Sequence, residues 1–226
     1  MGDGSATASN HGIVFVSPSL QDSYNHPLAL YEPKGEQIRD ITPKEVPTVP
    51  EGKVIYSQSL PALRAAAGRD ERIDVTDCAT AERYRFIDCN SFVRHGVLEL
   101  WEVPQLPIDQ YIAISHIWKS KEPRPHDLTT NGVFLVECEE RNDGGPISID
   151  VLRYSSSAAL QMGIRLLWLD RLCILQTPTT AGQRDKRWQI LHMYDVYKGC
   201  HACLVLPAGL QRFPDESEET GGVERA

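Results

Sequence analysis

The sequence predicts an α/β fold, in which a layered and mainly parallel sheet is flanked by helices. Compact apolar runs at 111–115, 164–169 and 202–206 are rich in β-branched and large apolar residues, as strands buried inside a sheet are. Apolar residues at helical spacing over 149–162 and 186–199 separate these runs. Because parallel strands are joined by right-handed crossovers, this β-α-β-α-β order favours one sheet with helices packed on it.

Length and charge limit the classes of protein to which the chain can belong. A chain of 226 residues, 41% of them hydrophobic, is long enough to bury a core without a metal or disulfide. Its 23 basic and 31 acidic residues give a net charge of -8, which disfavours nucleic acid and anionic membranes as general partners. The sequence contains no signal-peptide pattern and no apolar run long enough for a membrane span, so we expect a cytoplasmic protein.

Three further elements are predicted from local patterns. Capping and helix-forming residues between Ser59 and Gly68 predict a short helix. Alternating apolar and polar residues at 84–88 and 97–103 predict a β-hairpin. A further candidate strand lies at 132–138, within an otherwise loop-like region.

We divide the chain into three regions by composition. Residues 1–55 are rich in Pro, Ser, Asn and Asp, which is typical of a poorly ordered or loosely packed arm, with one strand-like island at 12–17. Residues 56–210 carry the predicted α/β domain. Residues 211–226 form an acidic C-terminal tail.

The inner face of each long helix is predicted from apolar residues at helical spacing. These residues are Val151, Tyr154, Ala158 and Met162 on the first helix, and Ile190, Met193, Tyr194 and Tyr197 on the second. We expect Ser148 or Asp150 to cap the first helix and Gly163 to end it.

The six cysteines are predicted to be reduced thiols, because no export signal accompanies them. The spacing of Cys200 and Cys203 is compatible with a zinc ligand pair. No second pair of that kind completes a tetrahedral site, so we predict core cysteines and no metal.

Polar and aromatic side chains follow the first two strands of the predicted parallel sheet. Because ligands gather beyond the carboxyl ends of parallel strands, we expect these side chains to face one crevice. They are Ser115, His116 and Trp118 after the first strand, and Asp170, Arg171, Cys173 and Gln176 after the second.

A chemical and a structural interpretation are open for each of these residues. Asp170 is a candidate general base or ribose ligand, and equally a candidate cap of the following turn. His116 is a candidate partner of Cys173 in a nucleophilic pair. A cysteine between Leu172 and Ile174 is more often inert core, however, which favours a buried thiol.

The remaining candidates have the same two interpretations. Trp118 is placed to stack on a base or nicotinamide ring, or to bury its face in the core. Arg171 either grips a phosphate or pairs with an acid. Ser115 is interpreted as a structural hydroxyl, and the stripe of Gln189, Met193 and Tyr197 on the last helix as core first and site second.

Three familiar nucleotide and hydrolase motifs are absent from the sequence. It contains no G-x-G-x-x-G after a strand, no G-x-x-x-x-G-K-[ST] and no G-x-S-x-G. Rossmann-type dinucleotide binding, P-loop hydrolysis and α/β-hydrolase chemistry therefore lose their usual sequence evidence.

Three blocks of the sequence resemble the signatures of the fungal heterokaryon-incompatibility (HET) domain. The first, 111–118, resembles Y-x-A-[LI]-S-[HY]-x-W-G. The second, 163–176, resembles G-x-x-Y-x-W-[IL]-D-x-[LI]-C-I-x-Q. The third, 188–200, resembles a helix that ends in M-x-x-[IV]-Y-x-x-A. With the hairpin segments upstream, the resemblance covers 85–207.

The departures from these signatures carry information. Lys119 stands where the first signature has Gly, Leu167 replaces a Tyr and Cys200 replaces an Ala. Gln189 stands where many members of the family carry Glu. If that Glu is catalytic in the family, the resemblance implies that this chain is a binding or regulatory variant. Whether the chain is a compact member or a fragment of a longer protein stays open.

The resemblance implies a role in fungal allorecognition, as an effector or signalling module of programmed cell death. Such a module acts by self-association or with other death-signalling proteins. HET domains are also similar to TIR domains, some of which hydrolyse NAD with a Glu. The alternatives are therefore an NAD glycohydrolase that uses Asp170 and His116, with NAD as substrate and no assigned cofactor, or a secondary-metabolism enzyme built on the same domain.

Overall fold

The structure, a computed structural model, describes residues 50–117, 131–138, 145–206 and 209–211, together with the backbone of 14–16. Most of the predicted arm and tail lie outside these residues, and so does Trp118. Within the described part, a seven-stranded sheet and a separate three-stranded sheet organise the fold.

Ten strands and four helices make up the described part of the chain. The strands are β1 (Val14–Val16), β2 (Lys53–Ser59), β3 (Arg72–Ile73), β4 (Tyr84–Asp88), β5 (Val97–Val103), β6 (Tyr111–His116), β7 (Val133–Val136), β8 (Ile147–Ser148), β9 (Leu166–Trp168) and β10 (Ala202–Leu206). The helices are α1 (Leu60–Ala67), α2 (Ile149–Gln161), α3 (Asp170–Cys173) and α4 (Thr180–Gly199), and a π-helical turn spans Ser91–His95.

The large sheet has the strand order β1-β10-β6-β9-β4-β5-β2. Its central strands β10, β6 and β9 run parallel, with Ala113 of β6 opposite Cys203 on one side and Trp168 on the other. The long helices α2 and α4 lie between these strands in the chain. The predicted parallel strands and the β-α-β-α-β order are therefore confirmed.

The prediction of a mainly parallel sheet is wrong, because the hairpin belongs to the same sheet. The strands β4 and β5 pair antiparallel, as predicted, and β4 then pairs antiparallel with β9 through Ile87 and Leu167. At the two edges, β2 pairs with β5 and β1 pairs with β10, both antiparallel. Alternating apolar and polar residues predict a hairpin, but they do not predict the strand with which the hairpin pairs. The fold is therefore α/β with a mixed sheet of parallel and antiparallel strands.

The three-stranded sheet has the order β3-β7-β8. The predicted strand at 132–138 is its central member, shortened to Val133–Val136. It pairs parallel with β3 and antiparallel with β8. The last strand leads directly into α2, where the Ser148 hydroxyl accepts a hydrogen bond from Val151 N at 3.2 Å. Ser148 is therefore the cap of α2.

The predicted inner faces of the two long helices are partly wrong. On α2, Val151 is buried as expected, but Met162 is 38% exposed just after the helix. On α4, Ile190 and Tyr194 are 54% and 71% exposed. The predicted Met193 and Tyr197 do pack against the core, and the buried positions of α4 are Gly182, Asp185, Gln189, Val196 and Gly199.

A buried ion pair orients α4, and a threonine cap marks its early start. The guanidinium of Arg85 in β4 donates a hydrogen bond to the Asp185 carboxylate, and both side chains are fully buried. The helix begins at Thr180, six residues before the predicted start, with the Thr179 hydroxyl accepting from Gly182 N at 3.0 Å. The first turns of α4 are polar, so hydrophobic periodicity does not reveal them.

Candidate functional site

A histidine–aspartate pair lies at the carboxyl ends of two neighbouring parallel strands. His116 is the last residue of β6, and Asp170 begins α3 two residues after β9 ends. Because β6 and β9 are parallel partners, the two residues meet at one edge of the sheet, with Nε2 of His116 at 2.8 Å from Oδ1 of Asp170. Their side chains are only 2% and 7% exposed.

The two oxygen neighbours of the His116 imidazole determine how many protons the ring needs to form both hydrogen bonds. Nδ1 of His116 lies 3.1 Å from the carbonyl oxygen of Ile117, and Nε2 faces the Asp170 carboxylate. Both neighbours are acceptors, so the two hydrogen bonds exist together only when the ring carries two protons. The pair is then an imidazolium beside a carboxylate, which can release a proton only by breaking one of these bonds.

The segment that follows Asp170 lines a crevice together with residues of β3 and β7 in the three-stranded sheet. Arg171 Nη2 donates to the carbonyl oxygen of Gly145 at 3.0 Å, and Gln176 Nε2 donates to the backbone oxygen of Asp170 at 3.4 Å. Both Arg171 and Gln176 line this crevice. The structure therefore brings four predicted site residues into one continuous network: His116, Asp170, Arg171 and Gln176.

Two threonine hydroxyls in the lining of the crevice were not among the site residues predicted from the sequence. The Thr76 hydroxyl donates to Oδ1 of Asp74 at 2.6 Å and lies 2.9 Å from the Thr177 hydroxyl. Thr76 and Thr177 are 101 residues apart in the chain. The one sequence signal for these residues is that Thr177 directly follows the predicted site residue Gln176. Asp74 and Thr76 lie ahead of the hairpin in a stretch without a motif, so the sequence does not identify them.

Cys173 is a buried thiol in the interior of this segment, as the sequence predicts. Its side chain is fully buried, and Leu169 N donates to Sγ at 3.4 Å. Burial raises the pKa of the Cys173 thiol to about 12. Because the thiolate is the nucleophilic form, this environment argues against a Cys173–His116 nucleophilic pair.

Tyr197 lies close to the histidine–aspartate pair, although the sequence favours a core role for it. Its hydroxyl donates to the carbonyl oxygen of Ile114 in β6 at 3.2 Å. Burial, and then the nearby Asp170 carboxylate, raise the pKa of Tyr197. Its ring also meets Trp168 edge to face, with ring centroids 5.6 Å apart, and Trp168 is fully buried, as predicted.

Gln189 and Ser115 do not join the hydrogen-bond network of Asp170. Gln189 is 1% exposed, and its Nε2 donates to the carbonyl oxygen of Arg83 at 2.7 Å. Its Oε1 is buried without a hydrogen-bond partner among the described residues. Ser115 lies half-buried in β6 opposite Val205, and its hydroxyl forms no hydrogen bond within the described ranges. The predicted position of Trp118 at the crevice falls outside the described residues.

Residues 111–218 match the family model of the heterokaryon incompatibility protein (HET). The chain carries a HET domain. The match begins with β6 and includes β9, α4 and β10, so it contains both the histidine–aspartate pair and the three central parallel strands. Comparisons with curated proteins and with solved structures give no match.

The strands ahead of the HET domain complete its sheet. One edge of β9 pairs with β4, which lies upstream of the matched residues, and β4 carries the Arg85 that binds Asp185 of α4. The Arg85 Nε also donates to the carbonyl oxygen of Cys173 at 2.8 Å. The hairpin thus holds in place the segment that follows the HET-domain strand β9.

The described part of the HET-domain protein has neither a metal-binding cluster nor a membrane-spanning helix. No group of three or more His, Cys, Asp or Glu side chains in the described ranges is arranged to hold a metal ion. All six cysteines are free thiols, and burial raises the pKa of the Cys203 thiol to about 12. None of the described helices is long and apolar enough to cross a membrane.

Proposed function

We propose that this HET-domain protein is a cytoplasmic effector or signalling module of fungal non-self recognition and cell death, and that it acts by self-association rather than by turnover. The observation that carries the proposal is the enclosure of the His116–Asp170 pair. With side chains 2% and 7% exposed and both ring nitrogens facing protein oxygens, the pair supports the fold more readily than it serves a substrate.

Two further motif positions support the same conclusion. Cys173 is fully buried and its raised pKa keeps the thiol protonated. The Gln189 amide donates to a backbone oxygen, a task that a carboxylate at this position cannot perform. Four side chains that have chemical interpretations in the sequence, His116, Asp170, Cys173 and Gln189, thus have structural partners in the fold.

Sedimentation velocity of the purified 226-residue chain over a concentration series tests the association. We expect the average mass to rise from monomer towards dimer or larger species as concentration increases. Expression in a fungal host with growth as the readout then tests the effector role, and we expect growth arrest. A chain that stays monomeric at every concentration and leaves growth unchanged contradicts the proposal.

A second candidate function is hydrolysis of NAD at the same edge of the sheet. The observation that favours it is Gln176 Oε1, which is buried and lacks a hydrogen-bond donor among the described residues although Gln176 lines the crevice. An acceptor of this kind requires a donor from water or a ligand. In this reaction water adds to the ribose C1′ as its bond to nicotinamide breaks, and a carboxylate such as Asp170 stabilises the positive charge that develops on the sugar.

Release of nicotinamide separates the two candidates. Hydrolysis predicts release by the wild type, and its loss in Asp170→Asn and His116→Gln without loss of the folded state. The assembly module predicts that none of the three proteins releases nicotinamide above the buffer rate.

A further inference from the structure

The outer face of α4 exposes an unusual concentration of large apolar side chains. Ile190, Leu191 and Tyr194 are 54%, 71% and 71% exposed. Their positions, one and four residues apart, place them on one stripe of the helix. Exposed apolar groups that cluster on one surface typically mark a contact with another molecule.

Charged residues flank this stripe at equal distances. Arg187 precedes Leu191 by four residues, and Asp195 follows it by four. Both are exposed, and neither forms an ion pair with another described residue. The two opposite charges therefore lie at the two ends of a short apolar segment centred on Leu191.

This arrangement is complementary to itself. When two copies of α4 pack antiparallel about a twofold axis at Leu191, Arg187 of each copy lies opposite Asp195 of the other. The same operation places Tyr194 opposite Trp188, and Ile190 opposite His192. Trp188 and His192 stack on each other with ring centroids 4.2 Å apart, which gives both copies a preformed aromatic surface.

We propose that α4 is the self-association surface of this protein and that its partner is a second copy of the same chain, paired antiparallel through 187–195. The proposal rests on the proposed function, since it assigns a surface to that association. It uses the face of α4 that points away from the buried Asp185, so the ion pair inside the fold is left intact.

The ends of the paired helices bring like charges together, but each of these charged side chains already contacts another residue of its own copy. In the antiparallel arrangement Lys198 lies opposite Arg184. The Arg184 Nε binds Glu82 at 2.8 Å, and the Lys198 ammonium lies over the Tyr194 ring, 5.8 Å from its centroid. Like-charge repulsion at the ends is therefore reduced, and the Arg187–Asp195 pairs determine the register.

Charge reversal at the two flanking residues tests the surface. Arg187→Asp places two acids opposite each other at both contacts, and Asp195→Arg places two bases there. In sedimentation velocity with the full chain we expect each variant to associate about tenfold more weakly than the wild type, or worse. An equimolar mixture of the two variants should associate again, because a mixed dimer places an acid opposite a base at both contacts.

The same experiment distinguishes a failure of the proposed α4 surface from a failure of the proposed function. Arg94→Asp, an equal charge reversal at an exposed position outside α4, is the matched control and should associate like the wild type. A wild type that associates while both α4 variants match it, or a mixture that fails to recover, overturns the α4 surface and leaves the proposed function standing. A wild type that stays monomeric overturns both. If only removal of 1–49 exposes the association, the arm covers α4 and the proposed pairing in the full chain is wrong.

Discussion

Two buried aspartates, Asp185 and Asp170, have different hydrogen-bond partners in this fold. Asp185 is fully buried and accepts hydrogen bonds from the Arg85 guanidinium, from Glu82 N at 3.0 Å and from Leu175 N at 3.2 Å. Asp170 accepts from Arg171 N at 2.6 Å and lies 2.8 Å from the His116 imidazole.

The difference lies in the partner. Arginine stays charged at every accessible pH, so the Asp185 pair is permanent. An imidazole, unlike a guanidinium, exists in a neutral and a protonated form, so the residue type alone does not fix the charge opposite Asp170. Burial and an ionisable partner therefore do not by themselves mark a functional carboxylate, because both aspartates have them.

Removal of the Asp185 charge should have the largest effect. Asp185→Asn leaves the Arg85 guanidinium buried without its counter-ion, and we expect the free energy of unfolding to fall by about 3–5 kcal/mol. Urea unfolding measures this loss. The exposed Asp77→Asn is the matched control and should change stability by less than about 0.5 kcal/mol. A loss below about 1 kcal/mol in Asp185→Asn would show that the pair does not anchor α4.

The same substitution at Asp170 should cost less. Asp170→Asn keeps an oxygen that accepts from Arg171 N and weakens only the charged bond to His116, so we expect a loss of about 1.5–3 kcal/mol. The order of the two losses is the decisive quantity. Equal destabilisation by Asp170→Asn and Asp185→Asn would remove the distinction between the two aspartates.

Gln189→Glu extends the comparison to a third buried side chain of the HET domain. The substitution replaces the amide that donates to Arg83 O with a carboxylate that cannot donate, and it buries a charge. We expect a loss of about 1–3 kcal/mol in urea unfolding. Gln183→Glu, an exposed change on the same helix, should be nearly neutral. A stable Gln189→Glu would show that a carboxylate fits this position and would favour the enzymatic alternative.

The buried thiol of Cys173 should make stability depend on alkaline pH. Its pKa is raised from the ordinary 9.0 to about 12, so between these values the unfolded chain releases a proton that the folded chain keeps. The stabilisation is complete below pH 9 and is lost as pH rises, by about 1.4 kcal/mol per pH unit. Urea unfolding at about pH 9 and about pH 10 under reducing conditions should therefore give a smaller decline for Cys173→Ala than for wild type. A decline in Cys173→Ala equal to that of the wild type would contradict this assignment.

Local sequence patterns predicted the parts of the fold that depend on neighbouring residues. The three parallel strands, the Ser148 cap and the hairpin follow from spacing and capping preferences over a few residues. The strand-end rule also predicted that His116 and Asp170 lie together at one edge of the sheet, and their side chains are 2.8 Å apart there.

Contacts between distant residues could not be predicted in this way. The Arg85–Asp185 pair joins residues 100 apart, and the Thr76–Thr177 contact joins residues 101 apart. In the sequence, Asp185 lies between Arg184 and Lys186, as a solvent-facing acid would. Without that pair the rotation of α4 is undetermined, which is why Ile190 and Tyr194 were assigned to the wrong face.

Nicotinamide release from NAD tests whether the motif residues of this HET domain support the fold and not turnover. The purified 226-residue chain, Asp170→Asn and Gln189→Glu should be compared at equal folded concentration, confirmed by urea unfolding. A catalytic contribution of about 3 kcal/mol changes a rate roughly a hundredfold, so the assay detects it easily. A role in the fold alone predicts release at the buffer rate for the wild type and for Asp170→Asn alike. Release by the wild type far above that rate, abolished in folded Asp170→Asn, would contradict it.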